Sequence, residues 1–282
     1  MYKETIKTGL ISLICISALS SCDSNGEKPA AKLLEEAKEC SNAGQFTEAM
    51  VLIDSLNKTY PGAVKARRES TALMPEIMEK ATLTELSVAD SMVAVLQLQG
   101  DSLKNGIEYV NNPIEGYYVG KEAKGIDPNS TAGLHGRLSP DGRFYIIATS
   151  PKAVKSTSVS VSVNGLEAVT STVKFDGERN DRSNGREIIT FIEAECDTIG
   201  KLIAKYPGNE VTATFHGTGR AEMKLPAKQV KAIVDLYSAA AIIRESKLAQ
   251  LRKSKLEKRL DVARSQMART FDDAKAREAV EE

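Results

Sequence analysis

Three arginines within eight residues make Asp176-Gly177-Glu178-Arg179-Asn180-Asp181-Arg182-Ser183-Asn184-Gly185-Arg186 the most distinctive polar run of this chain. Guanidinium groups are planar and match carboxylate or phosphate oxygens two at a time. Arg179, Arg182 and Arg186 on one loop could therefore clamp an anion. The plainer reading is a polar connection running over the surface between two strands. Just beyond, Glu193, Glu195 and Asp197 alternate with Ile192, Ala194 and Cys196. On one strand face, three carboxylates would offer oxygen ligands to a hard cation such as calcium. A wet face opposite an apolar one gives the same period of two. The two histidines lie in Leu134-His135-Gly136-Arg137 and Phe215-His216-Gly217-Thr218-Gly219-Arg220. They read as unrelated turn residues, with His216 on the polar, exposed side of its strand beside Thr212 and Thr214. No Gly-x-Ser-x-Gly elbow accompanies the serines, and Gly217-Thr218-Gly219 lacks the remainder of a phosphate-binding loop. These residues nominate no catalytic group, no metal and no cofactor.

Two further features bear on partners. From Arg244 to Arg264 there are eight basic and three acidic residues. Such an excess can meet anionic headgroups or cell-wall polymers at about 1 kcal/mol per basic residue near a charged surface. The ordinary reading is a solvated helix face. The chain as a whole has 38 basic and 38 acidic residues, a balance that gives no support to nucleic acid as a partner.

The N-terminus has the parts of an export signal. Lys3 and Lys7 precede a short apolar run from Gly9 to Leu19, and small residues follow. That run is shorter than the roughly 18–20 residues a spanning helix needs. Leu19-Ser20-Ser21-Cys22 resembles the lipobox of bacterial lipoproteins. The resemblance implies that residues 1–21 are removed as a signal peptide, that Cys22 is acylated, and that the acyl chains hold the protein on a membrane of the cell envelope. Two or three such chains suffice for stable anchoring where one does not. Asp23 resembles an inner-membrane retention signal in some enteric bacteria. Acidic residues after the cysteine resemble surface-export signals elsewhere, so both membranes remain open. Of the four cysteines, Cys15 leaves with the signal and Cys22 carries lipid. Cys40 and Cys196 sit on apolar faces and are expected to be buried free thiols, the alternative being a disulfide in an oxidising envelope.

The elements follow from periodicity. Residues 22–29 form a polar spacer. Residues 30–108 are helical in pattern, with Leu33, Leu34, Ala37 and Cys40 at three–four spacing. Gly44-Gln45-Phe46-Thr47-Glu48-Ala49, with Ile53, Leu56 and Tyr60-Pro61, resembles one tetratricopeptide-like hairpin over residues 30–62. It implies Ala37 and Ala49 at the close approach of two helices. No second copy follows, so the repeat family's peptide groove is not carried over. A longer helix broken or kinked near Pro75 is expected next.

Residues 112–226 change to a β signature. Val159, Val161 and Val163 alternate with serines, and Asn164-Gly165 reads as a two-residue hairpin turn. Ser139-Pro140-Asp141-Gly142-Arg143-Phe144 reads as another hairpin turn, and residues 186–195 as a strand. Asp197 or Thr198 would cap a short inserted helix. Val211, Ala213 and Phe215 should pair with Ala221, Met223 and Leu225. About seven or eight strands in a single antiparallel sheet structure are expected, as a barrel or a sandwich. Residues 227–272 form one long helix, with a charged tail at 273–282.

The fold class is therefore α+β: a helical hairpin and long helix, a central antiparallel β domain with one short helix, and a C-terminal helix returning to the N-terminal helices. This layout resembles lipoproteins of unknown function from Bacteroidota. The expected role is a non-enzymatic interaction or scaffold module on the membrane, with an envelope protein as partner. The rivals are a glycan- or nutrient-binding lipoprotein using Tyr117 and Tyr118, and, last, an envelope hydrolase.

Overall fold

A computed structural model describes residues 25–183 and 185–281. The segment expected to be a signal, residues 1–21, lies outside the described residues, as do Cys22, Asp23 and Asn184. The described residues divide into two compact units, 25–83 with 259–281, and 84–258. The third and fifth helices each supply a segment to both.

The first unit is helical. Its α1 (Glu27–Asn42) and α2 (Phe46–Thr59) form the expected hairpin, turning at Gly44 with φ +77°, a conformation that favours glycine. Ala37 and Ala49 are fully buried, with Ile53 and Ile77 beside them. These small side chains thus lie in one buried cluster with residues of the third helix. Glu27 accepts the Lys65 backbone N–H at 2.7 Å. It places a negative charge on the unsatisfied donors at the start of α3 (Val64–Leu103). Pro75 lies inside α3, which is a single 40-residue helix across it. The last part of α5 (Ala227–Glu281) packs on α3: Arg264 Nε donates to Glu79 Oε1 at 2.7 Å, and Arg259 Nε to Thr82 Oγ1 at 2.8 Å. Leu256, Leu260 and Ala263 are buried along that part of α5.

The second unit holds ten antiparallel strands in two sheets. The first sheet contains β1 (Ile107–Val110), β2 (Tyr117–Gly120), β3 (Gly133–Leu138), β4 (Phe144–Ser150), β7 (Asn180–Ser183) and β8 (Arg186–Ile192), in the order β1-β2-β3-β4-β8-β7. The second contains β5 (Ser158–Val163), β6 (Leu166–Val169), β9 (Thr212–His216) and β10 (Arg220–Lys224), in the order β10-β9-β5-β6. Of the two alternatives, the β domain is two sheets sharing one core, the sandwich, and not a barrel. Two strands beyond the expected number come from segments read otherwise: β1 overlaps the end of the stretch assigned to helix, and β7 is the arginine run.

Hairpin chemistry holds. Asn164 and Gly165 both take positive φ, +52° and +76°, as a tight primed turn requires. Phe215 pairs with Ala221, and Ala213 with Met223. The inserted α4 (Asp197–Lys205) is present. One core joins both sheets, α4 and the first part of α5, through residues such as Ile146, Phe191, Val161, Ile199, Ile233 and Leu236.

Candidate functional site

The arginine run is a hairpin arm rather than a free loop, and its three guanidinium groups have separate surroundings. Arg179 Nη1 donates to both oxygens of Glu195, at 2.9 and 2.7 Å. Arg182 Nη2 pairs with Glu187 Oε1 at 3.3 Å. Arg186 stands in register with Ser183, while Arg182 stands in register with Glu187. Successive strand residues face opposite ways, so Arg182 and Arg186 lie on opposite faces of the hairpin.

The carboxylate row is also divided. The strand ends at Ile192, Glu193–Glu195 form a single 3-10 turn, and Asp197 opens α4 after Cys196 at the cap position. Asp197 is not the cap: it accepts the Tyr237 hydroxyl at 2.9 Å, and Thr198 donates to the Val169 carbonyl at 2.7 Å. Glu195 accepts the Ile192 N–H as well as Arg179. Although burial opposes it, these donors hold the Glu195 carboxyl below its ordinary pKa. Among the described residues no His, Cys, Asp and Glu cluster could hold a metal.

The histidines belong to different sheets, His135 on β3 and His216 on β9. His216 is half-buried, its Nε2 within 2.9 Å of Ser160 Oγ. Thr214 and Ser160 beside it are buried, so the expectation of simple exposure is corrected. Cys40 and Cys196 are free thiols. Burial pushes Cys196 up to about 12, whereas Cys40 is only partly covered.

The sequence did not single out Glu187. It is 2% exposed and accepts the backbone N–H groups of Val154, Lys155 and Ser156 at 2.8, 3.0 and 3.3 Å, besides pairing with Arg182. Those three residues lie in the crossover from β4 to β5, so one carboxylate pins the connection between the two sheets. The available signal was a carboxylate directly heading the mostly apolar run Ile188-Ile189-Thr190-Phe191-Ile192.

A cleft opens where the first sheet splits. Strands β2 and β3 share one register pair, Tyr118 with Leu138, and then diverge. Segment 121–128 and the start of α5 fill the gap. Gln229, 1% exposed, stands in for a strand: its Oε1 accepts the Leu134 N–H at 3.3 Å and its Nε2 donates to the Ala132 carbonyl at 3.1 Å.

About 340 Å³ remains between them, with Tyr117, Val119, Lys124, His135, Gly136 and Arg137 among the walls. His135 Nε2–H donates to the Thr131 carbonyl at 2.8 Å. Burial lowers its pKa, so the ring is neutral at pH 7. Arg137 lies 4.2 Å over the Tyr117 ring and makes no ion pair among the described residues, whereas Lys124 is held by Glu108 at 2.5 Å. Tyr118 points the other way and meets Tyr109 edge-on at 5.2 Å. The two adjacent tyrosines therefore do not form one platform.

A second feature of the same unit is an apolar strip along α3 and α5. Val88 and Met92 are 59% and 51% exposed, and Leu248 is 66% exposed. These three, with Ala89, Ala249, Glu245 and Arg252, bound a groove of about 320 Å³. Val95 and Leu251 extend the strip at helical spacing and are also exposed. The charges flanking it are segregated. Between Thr84 and Leu103, α3 carries Glu85, Asp90 and Asp101 and no basic residue, whereas α5 from Arg244 to Lys258 carries six basic residues and two acidic.

Comparison with family models, with curated proteins and with solved structures finds no match to this chain.

Proposed function

We propose that this is a lipid-anchored protein of the bacterial cell envelope that acts as a non-enzymatic interaction module, docking an envelope protein on the α3–α5 strip. The observation carrying the docking surface is the exposed row Val88, Met92 and Leu248 on two packed helices. A helix normally turns such a stripe inward, and large exposed apolar surface marks sites of association. Charge states what fits: an amphipathic helix whose apolar stripe has acidic residues on the flank meeting the basic excess of α5 between Arg244 and Lys258. The anchor rests on the lipobox-like Leu19-Ser20-Ser21-Cys22. Three reactive side chains have surroundings that favour a non-enzymatic role. Cys196 is sealed, His135 is bound to a carbonyl, and His216 lies beside a serine hydroxyl in another sheet. None of them shows the linked nucleophile, base and orienting group of covalent catalysis.

The test combines two variants in the native host. Cys22→Ala should move the protein from the membrane fraction to the soluble fraction and abolish acyl labelling. Met92→Glu should leave membrane attachment and thermal stability intact while abolishing recovery of a membrane partner with the tagged protein. A Met92→Glu protein that recovers the same partner as the wild type contradicts the docking surface. A second copy of the chain as the sole capture, seen as a dimer by light scattering, would replace a heterologous partner with self-association.

A further inference from the structure

The split between β2 and β3 leaves a cavity whose polar groups converge on one kind of ligand. We infer that it is a binding site for a small monocarboxylate with an apolar tail.

Arg137 is a half-buried cation that makes no ion pair among the described residues. Its guanidinium lies over the Tyr117 ring, and a planar fork of donors suits a carboxylate. Next to it, the Gly136 peptide has no residue of β2 in register opposite it. Strand alternation turns its N–H the same way as that of Leu134, whose N–H is directed across the gap to Gln229. Arg137 and the Gly136 N–H are thus a charged and a neutral donor on neighbouring residues of one strand.

The remaining surroundings set the charge and the body of the ligand. Lys124 is neutralised by Glu108, His135 is neutral, and Asp127 lines the same cavity. Arg137 is the cavity cation held in no ion pair among the described residues, and the Asp127 carboxylate beside it opposes a phosphate dianion more than a monoanion. Val110, Val119, Ile126, Leu134 and Ala232 make the rest of the wall apolar. A volume of about 340 Å³ is at the small end for ligand pockets, roughly 300–1,000 Å³. The ligand is therefore a short acid and not a lipid or an oligosaccharide.

The experiment uses the purified full-length protein in detergent and saturation-transfer NMR with straight-chain carboxylates from butanoate to octanoate. The matching primary amides serve as neutral controls. Hexanoate or octanoate should receive saturation while hexanamide and octanamide do not. Arg137→Gln should weaken carboxylate binding at least tenfold with an unchanged melting temperature. Val119→Phe, which keeps the arginine but narrows the cavity, should discriminate against octanoate more than against butanoate. Lys201→Gln, on exposed α4 surface, should bind as the wild type does. The inference is overturned if no acid of the series binds, if amides bind as well as acids, or if Arg137→Gln binds as the wild type.

Discussion

A carboxylate that is 2% exposed costs several kcal/mol to bury unless donors replace the water it loses. Glu187 has three backbone N–H groups and Arg182 in that role. Burial by itself would raise its pKa, but these donors prevail and hold it below the ordinary value. The sign follows: a depressed folded pKa contributes stability above the unfolded value of about 4.3, and the contribution is lost as pH falls through the folded pKa. Glu187→Gln should therefore cost about 2–3 kcal/mol at pH 7, because its amide turns a donor towards donors. Thermal melts from pH 7 to pH 3 should show the gap between wild type and variant closing below about pH 4. A gap of constant size would contradict the carboxylate's role. Cys196 gives a second residue-scale expectation. With its thiol pushed up to about 12 and fully buried, it should resist iodoacetamide at pH 8 while Cys40 is labelled, as read by peptide mass spectrometry.

Between elements, the close approach of β2 to α5 depends on Gly120, where an added Cβ would stand 2.5 Å from the Cα and Cβ of Ala232. Backbone cannot yield as a flexible side chain does. Gly120→Ala should thus cost about 1–3 kcal/mol and open the cleft beside β2, measurable as a lower melting temperature with faster amide exchange at residues 117–120. The elements legible in the sequence were those with local signals. Ala37 and Ala49 placed the first hairpin, and Asn164-Gly165 the β5–β6 turn. The arginine run was read as loop because polar composition hides a strand: β7 is short, at a sheet edge, and held by register with β8 rather than by burial. The carboxylate row misled in the opposite direction, since period-two spacing continues past Ile192 while the backbone turns at Glu193, with φ +50°. The cleft had no sequence signature. It arises from one strand leaving another after a single register pair, with Gln229, about 95 residues along the chain, taking the vacated bond.

For the molecule as a whole, the proposed role joins an N-terminal membrane address to a docking face some 70 residues further along the chain. These two features have separate physical origins, acyl burial for one and an apolar helix strip for the other, so they should fail independently. Exchanging the acylation site should leave partner affinity in detergent unchanged. Charging the strip at Leu248 should leave membrane attachment unchanged, and fractionation beside pull-down separates the two effects. The most direct test of the interaction role is in-cell photo-crosslinking from a benzophenone amino acid at position 92, compared with the same probe at Lys201 on α4. One dominant envelope protein should be captured from position 92 and not from position 201. Equal capture from both positions, or no specific capture from position 92, would contradict the interaction role.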